Sequence, residues 1–166
     1  MPIQRLNHAV LYVRNLQRSL DFYVGILGFR VVHQMGEQAA FVQAEGSTND
    51  HDLGLFAVGN QASDSTAGHG SVGLYHLAWE VDTLSELSRL GELLQASGHL
   101  TGASDHGATK ALYGKDPDGL EFEVSWIVPA DLLHLETGGM KTAPLNLGVE
   151  VEKYGESTRG GVGVSH

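Results

Sequence analysis

Apolar and polar residues alternate at period two from Leu120 to Trp126, so Leu120, Phe122, Val124 and Trp126 share one face and Glu121, Glu123 and Ser125 the other. A strand of this kind buries its apolar face and turns its glutamates to water or to a cavity. Asp116-Pro117-Asp118-Gly119 supplies turn chemistry just before it, and together with Lys110–Lys115 the stretch predicts a hairpin. At the other end of the chain, residues 7–13 (Asn-His-Ala-Val-Leu-Tyr-Val) have the β-branched and aromatic content of a strand that puts His8, Val10 and Tyr12 on one side. Asn15 then suits a helix N-cap. Leu16, Leu20, Tyr23 and Leu27 form a stripe at helical spacing, and Gly28 stops it. Phe29–Met35, Ala39–Glu45 and Asp52–Val58 follow as three predicted strands, the first two joined by a turn at Gly36.

The order of strand, helix and three strands then starts again. Residues 59–72 are rich in Gly, Ser, Ala and Asp and predict a linker. Gly73–Val81 predicts a strand. Thr83-Leu84-Ser85-Glu86 is a capping box for a helix carrying Leu84, Leu87, Leu90 and Leu94 and ending at Gly98. Strands over 100–104, 110–115 and 120–128 complete the second round. A shift of 68 residues lays His8-Ala9-Val10-Leu11-Tyr12-Val13 on His76-Leu77-Ala78-Trp79-Glu80-Val81. The expected fold is therefore α+β: two βαβββ modules forming a curved mixed sheet around a central cavity, with the helices outside. Residues 1–155 make one domain, with module one at about 5–58, module two at about 73–128 and a C-terminal packing segment at 129–155. Residues 156–166 have the composition of a mobile tail.

Length and charge narrow the function classes. A chain of 166 residues buries a sizeable core without disulfides, and it has no cysteine for thiolate chemistry. A formal net charge of -10 repels phosphate backbones and anionic membrane surfaces, so nucleic acid and membrane are not expected partners. No apolar run reaches the length of a membrane span, and Met-Pro-Ile-Gln-Arg lacks the apolar region of a secretory signal, so a cytoplasmic protein is expected.

The nine histidines gain meaning from the repeat. His8 and His76 occupy equivalent places on two related strands, which points to a shared metal site. A carboxylate from the last strand would complete two imidazoles and one carboxylate, the facial triad that suits Fe(II) and leaves positions open. Alternation leaves both Glu121 and Glu123 eligible.

These residues, together with the run Asn15-Leu16-Gln17-Arg18-Ser19-Leu20-Asp21-Phe22-Tyr23 and the run from Asp116 to Glu123, resemble the vicinal oxygen chelate superfamily over about residues 5–128. That superfamily includes glyoxalase I, bleomycin resistance proteins and type I extradiol ring-cleavage dioxygenases. The resemblance selects Glu123 as the ligand beside His8 and His76. His106, Leu112-Tyr113, Asp116-Pro117-Asp118-Gly119 and Glu123 are similar to the extradiol signature, which implies that His106 and Tyr113 hydrogen-bond the substrate. His51-Asp52 resembles the pair that opens the last strand of a first module, which implies that His51 is the acid/base histidine. Many extradiol enzymes carry two double-module domains, whereas this chain has the length of one.

The resemblance thus implies Fe(II), with Mn(II) as the second candidate, and cleavage of a small aromatic diol by dioxygen next to its hydroxyl pair, in a homodimer or higher homo-oligomer. Two other readings compete. A glyoxalase-like isomerase needs a second carboxylate in module one, where the 68-residue shift puts Leu55. A metal-free binding protein of the bleomycin resistance type needs no triad at all.

Overall fold

The computed structural model describes residues 2–68, 70–138 and 142–161. It divides into two compact units: one runs up to Ser65 and includes Asp116–Gly119, and the other takes Thr66–Lys115 and the chain from Leu120 onward.

The first unit contains β1 (Ala9–Val13), α1 (Leu16–Tyr23), β2 (Arg30–Met35), β3 (Ala39–Gln43) and β4 (Leu53–Ala57). Its four-stranded sheet has the order β1-β4-β3-β2, with β1 parallel to β4 and the other pairs antiparallel. One sheet face, with Val13, Ala40, Val42, Leu53 and Leu55, is buried, as are Leu16, Leu20 and Tyr23 of α1, which packs on β4. The Asn15 side chain accepts from Arg18 N–H at 2.9 Å and caps the helix. The helix stops at Tyr23, four residues before the Leu27 that the stripe predicts. Val24, Gly25 and Ile26 are poor helix formers, and Leu27 N–H reaches Phe22 O instead, in a wider turn that closes at Gly28 with φ 80°. The turn residues Asp116 and Asp118 also belong here. Asp116 accepts from the Tyr23 hydroxyl at 3.0 Å, and Asp118 accepts from Arg14 N–H at 3.0 Å and from the Arg14 and Arg18 guanidiniums. Burial first, and then the negative charge of Asp116, push the Tyr23 phenol well above its ordinary pKa.

The second unit repeats the arrangement. It holds β5 (His76–Glu80), α2 (Leu84–Ala96), β6 (Leu100–Asp105), β7 (Thr109–Lys115) and β8 (Glu121–Ile127). Its strand order is β5-β8-β7-β6 with a short β9 (Ala143–Pro144) on the edge, and β5 is parallel to β8. The expected two-module α+β fold is present, each module having a mixed sheet of its own. The period-two reading of β8 holds: Phe122, Val124 and Trp126 are buried on one face, and α2, capped by Thr83, buries Leu84, Leu87, Leu90 and Leu94. Full burial of each such side chain stabilises the fold by about 2 kcal/mol.

Beyond β8, a 3-10 helix (Ala130–Leu135), β9 and α3 (Leu147–Tyr154) pack on the second unit. Residues 156–161 do not hang free as the tail composition predicts. Ser85 N–H donates to Glu156 O at 2.9 Å, Gly160 N–H to Asp82 O at 2.8 Å, and Trp126 Nε1–H to Thr158 O at 3.2 Å. A Cβ at Gly160 would lie 2.1 Å from Ile127 O, so the glycine that makes this stretch look mobile is what permits close backbone approach. The remainder of the predicted tail, residues 162–166, lies outside the described residues. Among the described residues no helix is long and apolar enough to cross a membrane.

Candidate functional site

In the second unit, His76 opens β5 and Glu123 lies midway along β8 on the same side of the sheet, because a strand repeats every two residues. His76 Nε2 is 3.3 Å from Glu123 Oε2. Two donors bound at ~2.1 Å to one ion at near-right angles lie roughly 3 Å apart, so this separation fits a shared metal. His76 Nδ1 is buried without a hydrogen-bond partner. Tyr113 of β7 is the antiparallel partner of Glu123. Burial first, and then the charge of Glu123 and a hydrogen bond to it, raise the Tyr113 phenol above its ordinary pKa, so it stays a hydrogen-bond donor at neutral pH. His106 sits at the β6–β7 hairpin tip, where its backbone N–H donates to Thr109 O at 2.9 Å and Gly107 turns the chain at φ 79°. Its Nε2 lies 2.8 Å from the Tyr113 hydroxyl. His76, Glu123, Tyr113 and His106 are thus brought into one continuous chain of contacts.

The first unit brings together the other two residues that the sequence singles out. His8 precedes β1, exposed, with Nδ1 2.7 Å from Asn7 Oδ1. Its ring lies against His51, with centroids 4.4 Å apart and a 34° tilt. The His51 side chain is 15% exposed, and its Nε2 is buried with no hydrogen-bond partner. Phe41 meets this ring edge-on at 5.0 Å. Asp52 turns away from His51 and staples the loop that presents it, accepting from Ala44 N–H, Ser47 Oγ and Asn49 Nδ2 at 2.7–2.8 Å. Within neither unit do three His, Asp or Glu side chains among the described residues gather at metal-binding distance.

Strand pairing corrects the counterpart of Glu123. Glu123 lies opposite Ala78, and Val10, the equivalent of Ala78, lies opposite Gly54. The fourth strands are therefore related by 69 residues rather than 68, and the module-one counterpart is Gly54, not Leu55, which points into the core. A Cβ at Gly54 would meet Phe56 and Val10 at 3.3 Å and Phe41 at 3.6 Å. The position thus offers no carboxylate, and a side chain there would crowd Phe56 and Val10.

Three neighbours of the candidate residues were not singled out from the sequence: Phe41, which meets the His51 ring, Asp105, next to His106 in the chain, and Lys110, bound to Asp105. Only parity could have flagged Lys110, since it shares the buried face of its strand with Leu112. A cleft of about 370 Å³ in the first unit, lined by Arg14, Gln17, Gln34 and Glu37 among others, contains none of the six candidate residues.

Comparison with known proteins identifies the family and the fold. The chain is 33% identical over 120 residues to a catechol-2,3-dioxygenase of Bacillus subtilis, covering 72% of this chain and 40% of that protein. It spans only 38% to 40% of the length of three such dioxygenases, this one included. It is also 29% identical over 129 residues to a lactoylglutathione lyase of Salmonella typhimurium, covering 72% of this chain and 90% of the lyase. Among solved structures, a glyoxylase/bleomycin resistance protein/dioxygenase domain from Frankia superposes with a TM-score of 0.59 at 22% identity, over 75% of this chain and 92% of that one. Residues 5–124 match the Glyoxalase/Bleomycin resistance protein/Dioxygenase superfamily, and on that match, with the doubled strand order, the chain belongs to this superfamily.

Proposed function

We propose that this protein is a metal-dependent extradiol dioxygenase that opens a catechol-type ring next to its hydroxyl pair. His8, His76 and Glu123 hold Fe(II), or Mn(II) as the second candidate. The observation that carries the reading is the contact chain from His76 through Glu123 and Tyr113 to His106, since it couples a candidate ligand pair to groups that can hold a diol.

A metal held by this donor set supplies Lewis acidity toward a diol oxygen and a path for electrons between diol and dioxygen. The other roles fall to the chain's own residues. Tyr113, kept protonated, donates a hydrogen bond to a diol oxygen, and His106 behind it takes up or returns the proton shared across their 2.8 Å contact. His51 has a shielded Nε2 with no protein partner, which suits a group that holds a proton and delivers it during oxygen transfer. Phe41, packed on His51, keeps water from that nitrogen. Both atoms of dioxygen enter the product, one ring carbon–carbon bond breaks, and a semialdehyde-type acid results.

Gly54 weighs against the isomerase reading, because the module-one position that a four-ligand site needs to fill with a carboxylate is a glycine, crowded by Phe56 and Val10. Cytoplasmic location and homo-oligomeric assembly belong to the same proposal, and sedimentation of the purified protein reads the assembly. The main test is metal analysis of anaerobically purified protein, followed by oxygen uptake with catechol, alkylcatechols and dihydroxybiphenyl. One metal per chain, one dioxygen per diol and a yellow product are expected. Isomerisation of a glutathione hemithioacetal without oxygen uptake would establish the isomerase instead, and failure to bind any metal would favour a binding protein.

A further inference from the structure

The side chain of Lys110 is 0% exposed, and its ammonium group is surrounded by carboxylates from three elements. Nζ lies 2.7 Å from Asp105 at the end of β6, 2.8 Å from Glu136 just past the 3-10 helix, and 3.0 Å from Glu150 on α3. Lys153 also binds Glu136 at 2.7 Å, the Tyr154 hydroxyl donates to the same carboxylate, and the Tyr154 ring lies 5.6 Å from Nζ of Lys110. Burying a charge is costly, and an apolar side chain at such a place often serves stability as well. Leu112 on the same strand face shows that this side of β7 accepts one. The ammonium therefore calls for a second reason beyond packing.

The reason lies at Asp105. Its Oδ1 accepts from Lys110 Nζ and also from Gly107 N–H at 2.8 Å. That second bond folds the chain over His106, the one residue between Asp105 and Gly107. The turn is closed by His106 N–H to Thr109 O at 2.9 Å and tied to the end of β8 by Val128 N–H to Ala108 O at 2.9 Å. At the front of this turn His106 Nε2 meets the Tyr113 hydroxyl.

We propose that Lys110 and Asp105 are positioning residues for His106: the buried ammonium pins the Asp105 carboxylate, the carboxylate sets the turn at Gly107, and the turn aims the imidazole at Tyr113. The residues past β8 supply Glu136 and Glu150, which hold the ammonium in place, so the C-terminal segment is part of this support and not a mere cover. The inference rests on the reading of His106 and Tyr113 as substrate-holding groups, but its test does not depend on turnover.

The test uses the full chain with 15N-labelled histidine. Ring-nitrogen shifts of His106 and amide exchange at Gly107 are measured in the native protein and in Lys110→Met, Asp105→Ala and Asp105→Asn, alongside thermal unfolding. Tyr113→Phe marks the shifts of a His106 that has lost its partner. Lys110→Met and Asp105→Ala are expected to move His106 toward those shifts. They should also speed Gly107 exchange roughly tenfold to a hundredfold, the worth of a hydrogen bond to a charged acceptor. Asp105→Asn keeps an oxygen for Gly107 N–H and is expected to keep the native shifts. Should Lys110→Met not fold, Asp105→Ala carries the test, because Lys110 then retains Glu136 and Glu150. Native His106 shifts and native Gly107 exchange in a folded Asp105→Ala protein would overturn the inference. Shifts that move as expected in a protein that consumes no oxygen with any diol would leave the positioning intact and remove the ring-cleavage reading instead.

Discussion

The two units run their four main strands in the same order, yet they differ at one pair of equivalent strand positions. In the second unit Tyr113 lies opposite Glu123 across β7 and β8; in the first, Phe41 lies opposite Gly54 across β3 and β4. One pair is a phenol hydrogen-bonded to a carboxylate, and the other is an aromatic ring over a bare backbone. Topology needs only the buried face of each strand, so the opposite face is free to diverge. The second unit thereby holds the polar contact chain, while the first holds His8 beside a shielded His51.

The largest effect is expected from making the second unit imitate the first. Glu123→Ala or His76→Ala should abolish stoichiometric metal after anaerobic reconstitution and reduce oxygen uptake to background. A full metal complement in either variant would strike that residue from the ligand set. His51→Phe should leave metal content and diol affinity near native while turnover falls by about two to four orders of magnitude, the usual worth of a positioned proton-transfer group. Loss of metal in that variant would make His51 a ligand.

A smaller effect concerns the buried Lys110 and its carboxylates in the second unit. Burial works against ionisation of Glu136, but hydrogen bonds from Lys110, Lys153 and Tyr154 overcome it and lower its pKa from 4.5 to about 2. The folded state therefore binds fewer protons than the unfolded one in this window. Its stabilisation is fully present above about pH 4.5 and is lost as the pH falls toward 2, on the order of 3 kcal/mol in all. Urea unfolding between pH 7 and pH 3 should show this slope in the native protein and a flatter one in Glu136→Gln; equal slopes would show that the carboxylate does not carry it. The smallest effect is that of Gly54→Ala, whose methyl must push Phe56 and Val10 back slightly, at a cost of about 1–2 kcal/mol in thermal unfolding. Gly54→Glu should add no second carboxylate ligand. A gain in metal affinity with that variant would mean that these neighbours yield and that a four-ligand site is within reach.

The local features were legible because they depend on neighbours in the chain. Period-two alternation over Phe122, Val124 and Trp126 required one buried face, and Asn15 and Thr83 could be read as caps from the residues that follow them. The 68-residue repeat exposed the doubled fold and singled out His8 and His76, and the resemblance separated Glu123 from Glu121, which alternation alone could not do. Helix ends were less legible, as the early stop of α1 at Tyr23 shows, because a stripe of apolar residues continues through a turn as readily as through a helix.

What the tertiary structure alone decided rests on pairing between distant segments. One residue of extra length between first and fourth strands moved the counterpart of Glu123 from Leu55 to Gly54, a register set by backbone hydrogen bonds rather than by composition. The burial of Lys110 depended on Glu136 and Glu150 arriving from more than twenty residues away, and a lysine in isolation reads as solvated. Residues 156–161 have the composition of a free end, and only the carbonyls and ring edge that they meet at Asp82, Ile127 and Trp126 turn their glycines into a requirement for close packing.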